Sequence, residues 1–331
     1  LARGLPLESK VVVVTKENKR LIFLLAILVV LLLCYLGWRL FSRRIRVEVS
    51  RDQIVKSNFY FIPEHWKEKK LEQLRKNETF KDISGKDQLD LFLKYCDWTH
   101  RQWKHSNPNP YPLSNAIDIL ADIRSGKTGG LCGQYSYVLA DVLKSMGYFS
   151  VRYVELVNTK WKFHFVVEVW SDQYQKWMVL DPDANIYYEF KESGIPANAY
   201  EIQSSFLASD NRIVARSADS QRASLGNKQM DMYANFAVSL RSDLMRHPTP
   251  LTIEDRFAMF LFFKPDRAPL EPFKGRIPYA HITSRIEDIY FDCNCVRVEY
   301  QINRKQKVAD FRFFTDSSMF NFREIVLLTS A

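Results

Sequence analysis

The sequence predicts an α+β protein with an N-terminal transmembrane helix and a small all-β module at its C-terminal end. Three observations lead there. Residues 21–38 carry no charge and lie between basic clusters. A glycine-rich loop ending in Gly129-Gly130 runs into Cys132 and then into apolar residues at helical spacing. Further on, short apolar runs separated by polar turns replace the helical pattern, first at 162–181 and again from Tyr279.

The chain has 331 residues, 47% of them hydrophobic and 26% charged, which is ordinary for a globular protein. That length holds one large domain with additions or two smaller ones. The net charge of +9 is unevenly placed. Residues 1–46 carry nine Lys/Arg and two Glu, a net of +7, and the remainder carries 38 basic and 36 acidic residues, a net of +2. Positive charge confined to the flanks of an apolar run suits a membrane surface and gives no reason to expect nucleic-acid binding. The five cysteines, Cys34, Cys96, Cys132, Cys293 and Cys295, make no disulfide framework in a chain of this size. Cys293 and Cys295 alone are too few ligands for zinc, and no metal or cofactor is expected. Ser125-Gly126-Lys127-Thr128 is not a phosphate loop, because Ala121 stands where that motif needs a glycine.

Residues 1–20 form a polar tail and 21–41 the expected membrane helix. The uncharged run Leu21 to Trp38 spans about 27 Å as a helix, enough for a bilayer core. Tyr35 and Trp38 suit the interface. Basic residues flank both ends in nearly equal number. The expected arrangement is a single-pass signal anchor with the catalytic domain outside the cytoplasm. Residues 42–80 are a juxtamembrane segment with an exposed, charged helix from Glu64 to Arg75.

Residues 81–208 are the expected catalytic domain. Asp87 to His105 reads as an amphipathic helix through Leu89, Leu91, Phe92, Tyr95, Trp98 and Trp103. A rigid proline loop, 107–112, precedes a helix from Ser114 to Ile123. After Cys132, the residues Val138, Leu139, Val142, Leu143 and Met146 keep helical spacing, and Gly147 supplies a stop. Cys132 therefore falls in a first helical turn, where unpaired N–H groups and the helix dipole favour a thiolate.

A partner for that thiol comes from a hairpin. Lys162 to Trp170 and Trp177 to Asp181 read as strands around the polar turn Ser171 to Lys176. With Asp172-Gln173 at the centre of the turn, Trp170 faces Gln175 and His164 faces Asp181. Opposed residues hold their Cβ atoms about 5 Å apart, the placement a carboxylate needs to fix an imidazole's tautomer and stabilise its charged form. A cysteine at a helix start with a histidine and an aspartate opposed on a hairpin is an arrangement of nucleophile, base and orienter. His100 and His105 are read as surface residues. Gln102 is weighed as an oxyanion donor and read as part of a solvated face.

The block Gly130-Leu-Cys-Gly-Gln-Tyr135 resembles the nucleophile motif of the transglutaminase-like superfamily. Leu143 to Arg152 resembles that family's helix end and following strand, and His164 to Trp170 and Trp177 to Pro182 resemble its His and Asp strands. The resemblance runs from Asp87 to Glu201 and is nearest to bacterial membrane-anchored members. It implies a papain-like core with Cys132 as nucleophile, His164 as general base and then acid, and Asp181 as orienter. It leaves the reaction open among cross-linking, peptidase and amidase chemistry. Hydrolysis of a protein or peptide substrate at the cell envelope is the expected outcome, because nothing announces an amine site. The competing reading is a catalytically idle scaffold. No acidic cluster supports calcium dependence.

Residues 209–278 are expected to hold a polar loop over 209–229, a helix over 230–245 and a proline-rich linker over 265–278. Residues 279–331 are the β-module, with strands at 286–290, 295–302, 308–315 and 320–328. The chain starts at Leu1 and stops in a strand-like run, which reads as a segment of a longer protein.

Overall fold

The computed structural model describes residues 23–33, 35, 45–49, 59, 61–160, 162–248, 260–264, 281–290, 294–302 and 305–313. Along the chain the elements are α1 (residues 23–33), β1 (Ile45–Val49), α2 (Lys69–Asn77), α3 (Gln88–His100), α4 (Ala116–Arg124), α5 (Cys132–Ser145), β2 (Val151–Val157), β3 (Phe163–Ser171), β4 (Lys176–Asp181) and β5 (Ile186–Phe190). There follow α6 (Ala199–Ala208), β6 (Ile213–Arg216), α7 (Ser220–Lys228), β7 (Asn235–Ser239), β8 (Phe260–Phe263), β9 (His281–Thr283), β10 (Asn294–Ile302) and β11 (Lys305–Phe313). They divide into two compact units.

The larger unit is built on an eight-stranded sheet in the order β6-β5-β4-β3-β2-β7-β8-β9. Its ladders are antiparallel except for the parallel β8–β9 pair. Alternation along the strands gives it two apolar faces. Tyr153, Val157, Val167, Val169, Met178 and Leu180 face α2, α3, α4 and α5. Val154, Leu156, Val166, Val179, Phe236 and Val238 face α6 and a 3₁₀ turn at Met230–Ala234.

Helix α5 lies inside this assembly, with every residue from Gln134 to Ser145 buried. It ends as the sequence predicts. Gly147 has φ +96, its N–H bonds the Lys144 carbonyl at 3.0 Å, and the Tyr148 N–H bonds the Leu143 carbonyl at 3.0 Å, the paired bonds of a Schellman stop. A helix enclosed on all sides needs its polar groups satisfied internally. Ser136 donates to the Phe165 carbonyl at 2.9 Å and so ties α5 to β3. The fully buried Lys144 pairs with Asp141 at 2.7 Å and donates to the Ser242 carbonyl at 2.7 Å, while Asp141 accepts the Ala116 N–H at the start of α4.

In the smaller unit, β1, β10 and β11 form a three-stranded sheet in that order, and Val47 stands opposite Val298 in the antiparallel β1–β10 pair. Helix α1 belongs to the same unit, and its side chains from Phe23 to Leu33 are exposed. No helix among the described residues is long and apolar enough to cross a membrane. Part of the expected span 21–41 lies outside the described residues.

Several expectations are corrected. The polar stretch 209–229 is ordered as β6 and α7, and the expected helix over 230–245 is a 3₁₀ turn followed by β7. Asn235-Phe-Ala-Val-Ser239 is too short to distinguish strand from helix by periodicity, and pairing with β2 decides it. Strands from both sides of the expected boundary at 208 share one sheet. Residues 286–288 are a 3₁₀ turn, not a strand. The expected strand at 320–328 lies outside the described residues, as does most of the expected linker.

Lys144→Ala removes one partner of a fully buried ion pair and leaves Asp141 uncompensated. The expected loss is about 3–5 kcal/mol of unfolding free energy, read by chemical denaturation of the full chain. A loss below about 1 kcal/mol would contradict the internal-tie account of α5.

Candidate active site

Cys132 opens α5. Leu131 is the N-cap, and its N–H donates to Gln134 Oε1 at 2.9 Å, so one orphan donor of the helix start is satisfied by the helix's own first turn. The remaining first-turn N–H groups and the helix dipole favour negative charge at the cysteine. The loop before it is clamped. A Cβ on Gly130 would stand 2.5 Å from Trp103 Nε1, and one on Gly129 would stand 2.3 Å from Ser106 Oγ. Only glycine allows that approach. Trp103 donates to the Gly130 carbonyl at 3.2 Å and stacks on Tyr135 with ring centroids 4.1 Å apart, and the Tyr135 hydroxyl returns a bond to the Trp103 carbonyl. The cysteine is half-buried.

His164 is the second residue of β3, at the end where that strand outruns β4. The hairpin register differs from the expected one by two. Ser171 pairs with Lys176 and Trp170 with Trp177, because the turn spans four residues, Asp172 to Gln175, with Gln175 at φ 54. A slip of two keeps every side chain on its face. His164 and Asp181 still meet diagonally, with Nε2 to Oδ2 at 2.7 Å. That contact occupies Nε2 and leaves Nδ1 for the thiol.

Asp181 is held from two directions. Oδ2 takes the histidine, and Oδ1 accepts the N–H groups of Asp183 and Ala184 at 3.1 and 3.0 Å. Its side chain is 3% exposed, and that of His164 is 19% exposed. Burial pulls the His164 pKa down. The Asp181 charge, its hydrogen bond and the Cys132 sulfur outweigh that and hold it well above the ordinary histidine value. Cys96, in α3, is fully enclosed. Burial first, then the charges of Asp181 and Asp97, push its thiol up, so it is an inert neighbour.

Two histidines read as surface residues are tied into the site's rim. His105 is exposed, yet its Nδ1 bonds both Asp183 carboxylate oxygens at 2.8 and 3.0 Å. His100 Nδ1 bonds the Pro182 carbonyl at 3.0 Å, and its Nε2 meets Arg222 of α7. Asn185, at φ 53, donates to Asp97 at 2.9 Å. The turn 182–185 is thus anchored to α3 and its C-terminal extension. Gln102 is turned to other partners: its amide N–H donates to the Trp98 carbonyl and its oxygen accepts from Arg124.

Asp183 escapes the sequence reading except as part of a turn. Its signal is the Asp-Pro-Asp spacing, which returns a second carboxylate two residues after the first. Ligand atoms of Cys132, His164 and Asp183 lie within 4.8 Å of one another. Burial and the Asp181 charge raise the Asp183 pKa against the opposing pull of His105 and His164. Beside this cluster lies a cleft of about 690 Å³ lined by His100, Arg101, Trp103, His105, Tyr135 and Arg222, among others. It shares a rim with the cluster, but Cys132, His164 and Asp181 are not among its walls.

Residues 79–182 match the family model of the Transglutaminase-like superfamily. The matched stretch contains Cys132, His164 and Asp181 and stops one residue short of Asp183. No curated protein and no solved structure matches the chain.

The raised His164 pKa fixes a sign. A histidine held above its unfolded value of about 6.5 stabilises the fold at low pH and loses that contribution as pH rises through its folded pKa. In Asp181→Asn the carboxylate charge is gone while burial remains, so the His164 pKa, followed by NMR of its imidazole C–H signals, is expected to drop below its wild-type position. An unchanged midpoint would show that Asp181 does not set the histidine's charge.

Proposed function

We propose, from the place of residues 79–182 in the transglutaminase-like superfamily, that the protein is a thiol enzyme acting on an amide or ester carbonyl. The observation that carries this reading is the His164–Asp181 bond of 2.7 Å with the Cys132 sulfur beside the imidazole. Cys132 Sγ attacks the carbonyl carbon while the His164 imidazolium gives its proton to the leaving amine or alcohol. The carbon–leaving-group bond breaks and a thioester remains. Water then attacks the thioester, His164 Nδ1 takes its proton, and the C–S bond breaks to release the acid and the thiolate. Asp181 keeps Nε2–H oriented and stabilises the imidazolium throughout.

Hydrolysis is the proposed outcome because Cys132 is only half-buried and nothing in the sequence announces a site for an acceptor amine. The acyl donor is a protein or peptide of the cell envelope. The chain is held at a membrane by residues 21–41, with the catalytic unit outside the cytoplasm. In support, the run from Leu21 to Trp38 carries no charge, and α1 exposes apolar side chains such as Phe23, Leu28 and Leu31 on every side. A helix that is apolar all round needs a lipid or protein cover.

The test is acyl trapping. The full chain in detergent is exposed to activated esters and glutamine-containing peptides, quenched in acid and mapped by mass. An acyl adduct on Cys132 that discharges in water is expected. It is absent in Cys132→Ala and forms on the order of 10²–10⁴ more slowly in His164→Ala. No adduct on Cys132 with any donor would turn the reading to the idle scaffold.

A further inference from the structure

Asp183 has no part in the thiol mechanism, yet it stands beside the two residues that do. Cys132 Sγ, a His164 ring nitrogen and an Asp183 carboxylate oxygen lie within 4.8 Å of one another, each on a half-buried residue. They come from three different elements: the start of α5, the open end of β3 and the turn after β4. We propose that these three residues bind a Zn²⁺ ion, which reversibly blocks the nucleophile.

The donor types fit zinc. A thiolate and an imidazole are soft or borderline ligands that favour zinc over calcium or magnesium, and three protein ligands with an open fourth position are a recurrent zinc arrangement. Bond lengths of about 2.0–2.3 Å place ligand atoms about 3.3–3.7 Å apart around a tetrahedral ion. The widest separations in the cluster therefore have to shorten by about 1–1.5 Å for all three ligands to reach one ion.

The surroundings of two ligands argue for the site independently of the cluster itself. A zinc-bound histidine usually gives its other nitrogen to a carboxylate, and a zinc-bound carboxylate is usually hydrogen-bonded in turn. Here His164 Nε2 already contacts Asp181, leaving Nδ1 for the ion. Asp183 is already bonded to His105. Both ligands thus already have an outer partner. Binding releases one proton to solvent, from the Cys132 thiol or, starting from the ion pair, from His164 Nδ1. Sulfur and nitrogen then each donate an electron pair to the ion, and no oxidant or reductant takes part.

The reading does not depend on acyl transfer, and its test separates the two. The metal-stripped full chain in detergent is treated with iodoacetamide, and the rate of Cys132 modification is read by peptide mass, with and without one equivalent of ZnCl₂. Zinc is expected to slow modification by on the order of tenfold or more, a chelator to restore it, and Mg²⁺ or Ca²⁺ to leave it unchanged. Asp183→Asn should need on the order of tenfold more zinc for the same protection. His105→Ala, which keeps the carboxylate, should fall between the two and serves if Asp183→Asn does not fold. Unaltered modification of the wild type at stoichiometric zinc would overturn the proposal. So would equal protection of wild type and Asp183→Asn. Protection by zinc in a protein that forms no acyl adduct would keep the metal site and remove the enzyme.

Discussion

The enclosure of α5 fixes where Cys132 stands. Twelve consecutive residues of the helix, Gln134 to Ser145, are buried. Interiors packed at crystal-like density do not let such a helix slide or rotate. The internal ion pair of Lys144 and Asp141 and the bond from Ser136 to β3 add directional ties to that packing. The first turn is the one part of the helix that emerges, and it does so beside the end of β3. The pair of glycines before Cys132 lets Trp103 and Ser106 close over the loop from the other side. Thiol and imidazole are brought together by two rigid elements, the start of α5 and the end of β3.

The electrostatics follow from that placement. Asp181 is nearly sealed from solvent, and its oxygens are filled by His164 and by two backbone N–H groups. Three donors satisfy the oxygens of this buried carboxylate, as a buried polar group requires. Burial of the ring is the largest single influence on His164 and pulls its pKa down, but the Asp181 charge and hydrogen bond, together with Cys132, outweigh it. The same turn that closes on Asp181 carries Asp183 back to the site, and His105 and His100 hold the turn to the end of α3. The end of α3 thus also positions the loop that completes the surroundings of Cys132 and His164.

Helix α5 and the His–Asp hairpin were legible because their signals are local. Val138, Leu139, Val142 and Leu143 mark one face at helical spacing, and all are buried as that spacing demands. The hairpin's register was misjudged by two because nothing in Ser171 to Lys176 distinguishes a two-residue turn from a four-residue one. The pairing of His164 with Asp181 survived because an even slip preserves the face. The roles of His105 and Asp183 were not legible. They are 78 positions apart and meet only because α3 and the β4–β5 turn share a corner. The strands β6 and β7 were missed for a different reason. Four or five residues give too little periodicity, and only pairing to β5 and β2 makes them strands. β1 adds to this, since Ile45 to Val49 finds its partner in β10, some 250 residues later.

The central claim is that Cys132 and His164 form a charged pair with Asp181 behind it. The most direct measurement is the rate of Cys132 alkylation by iodoacetamide from pH 4 to 9, in the wild type and in His164→Ala. The pair predicts a rate that stays high near pH 5 in the wild type and a lost low-pH limb in the variant, because only a thiolate reacts. A single titration near pH 8.5, unchanged by His164→Ala, would mean an ordinary thiol and would contradict the account.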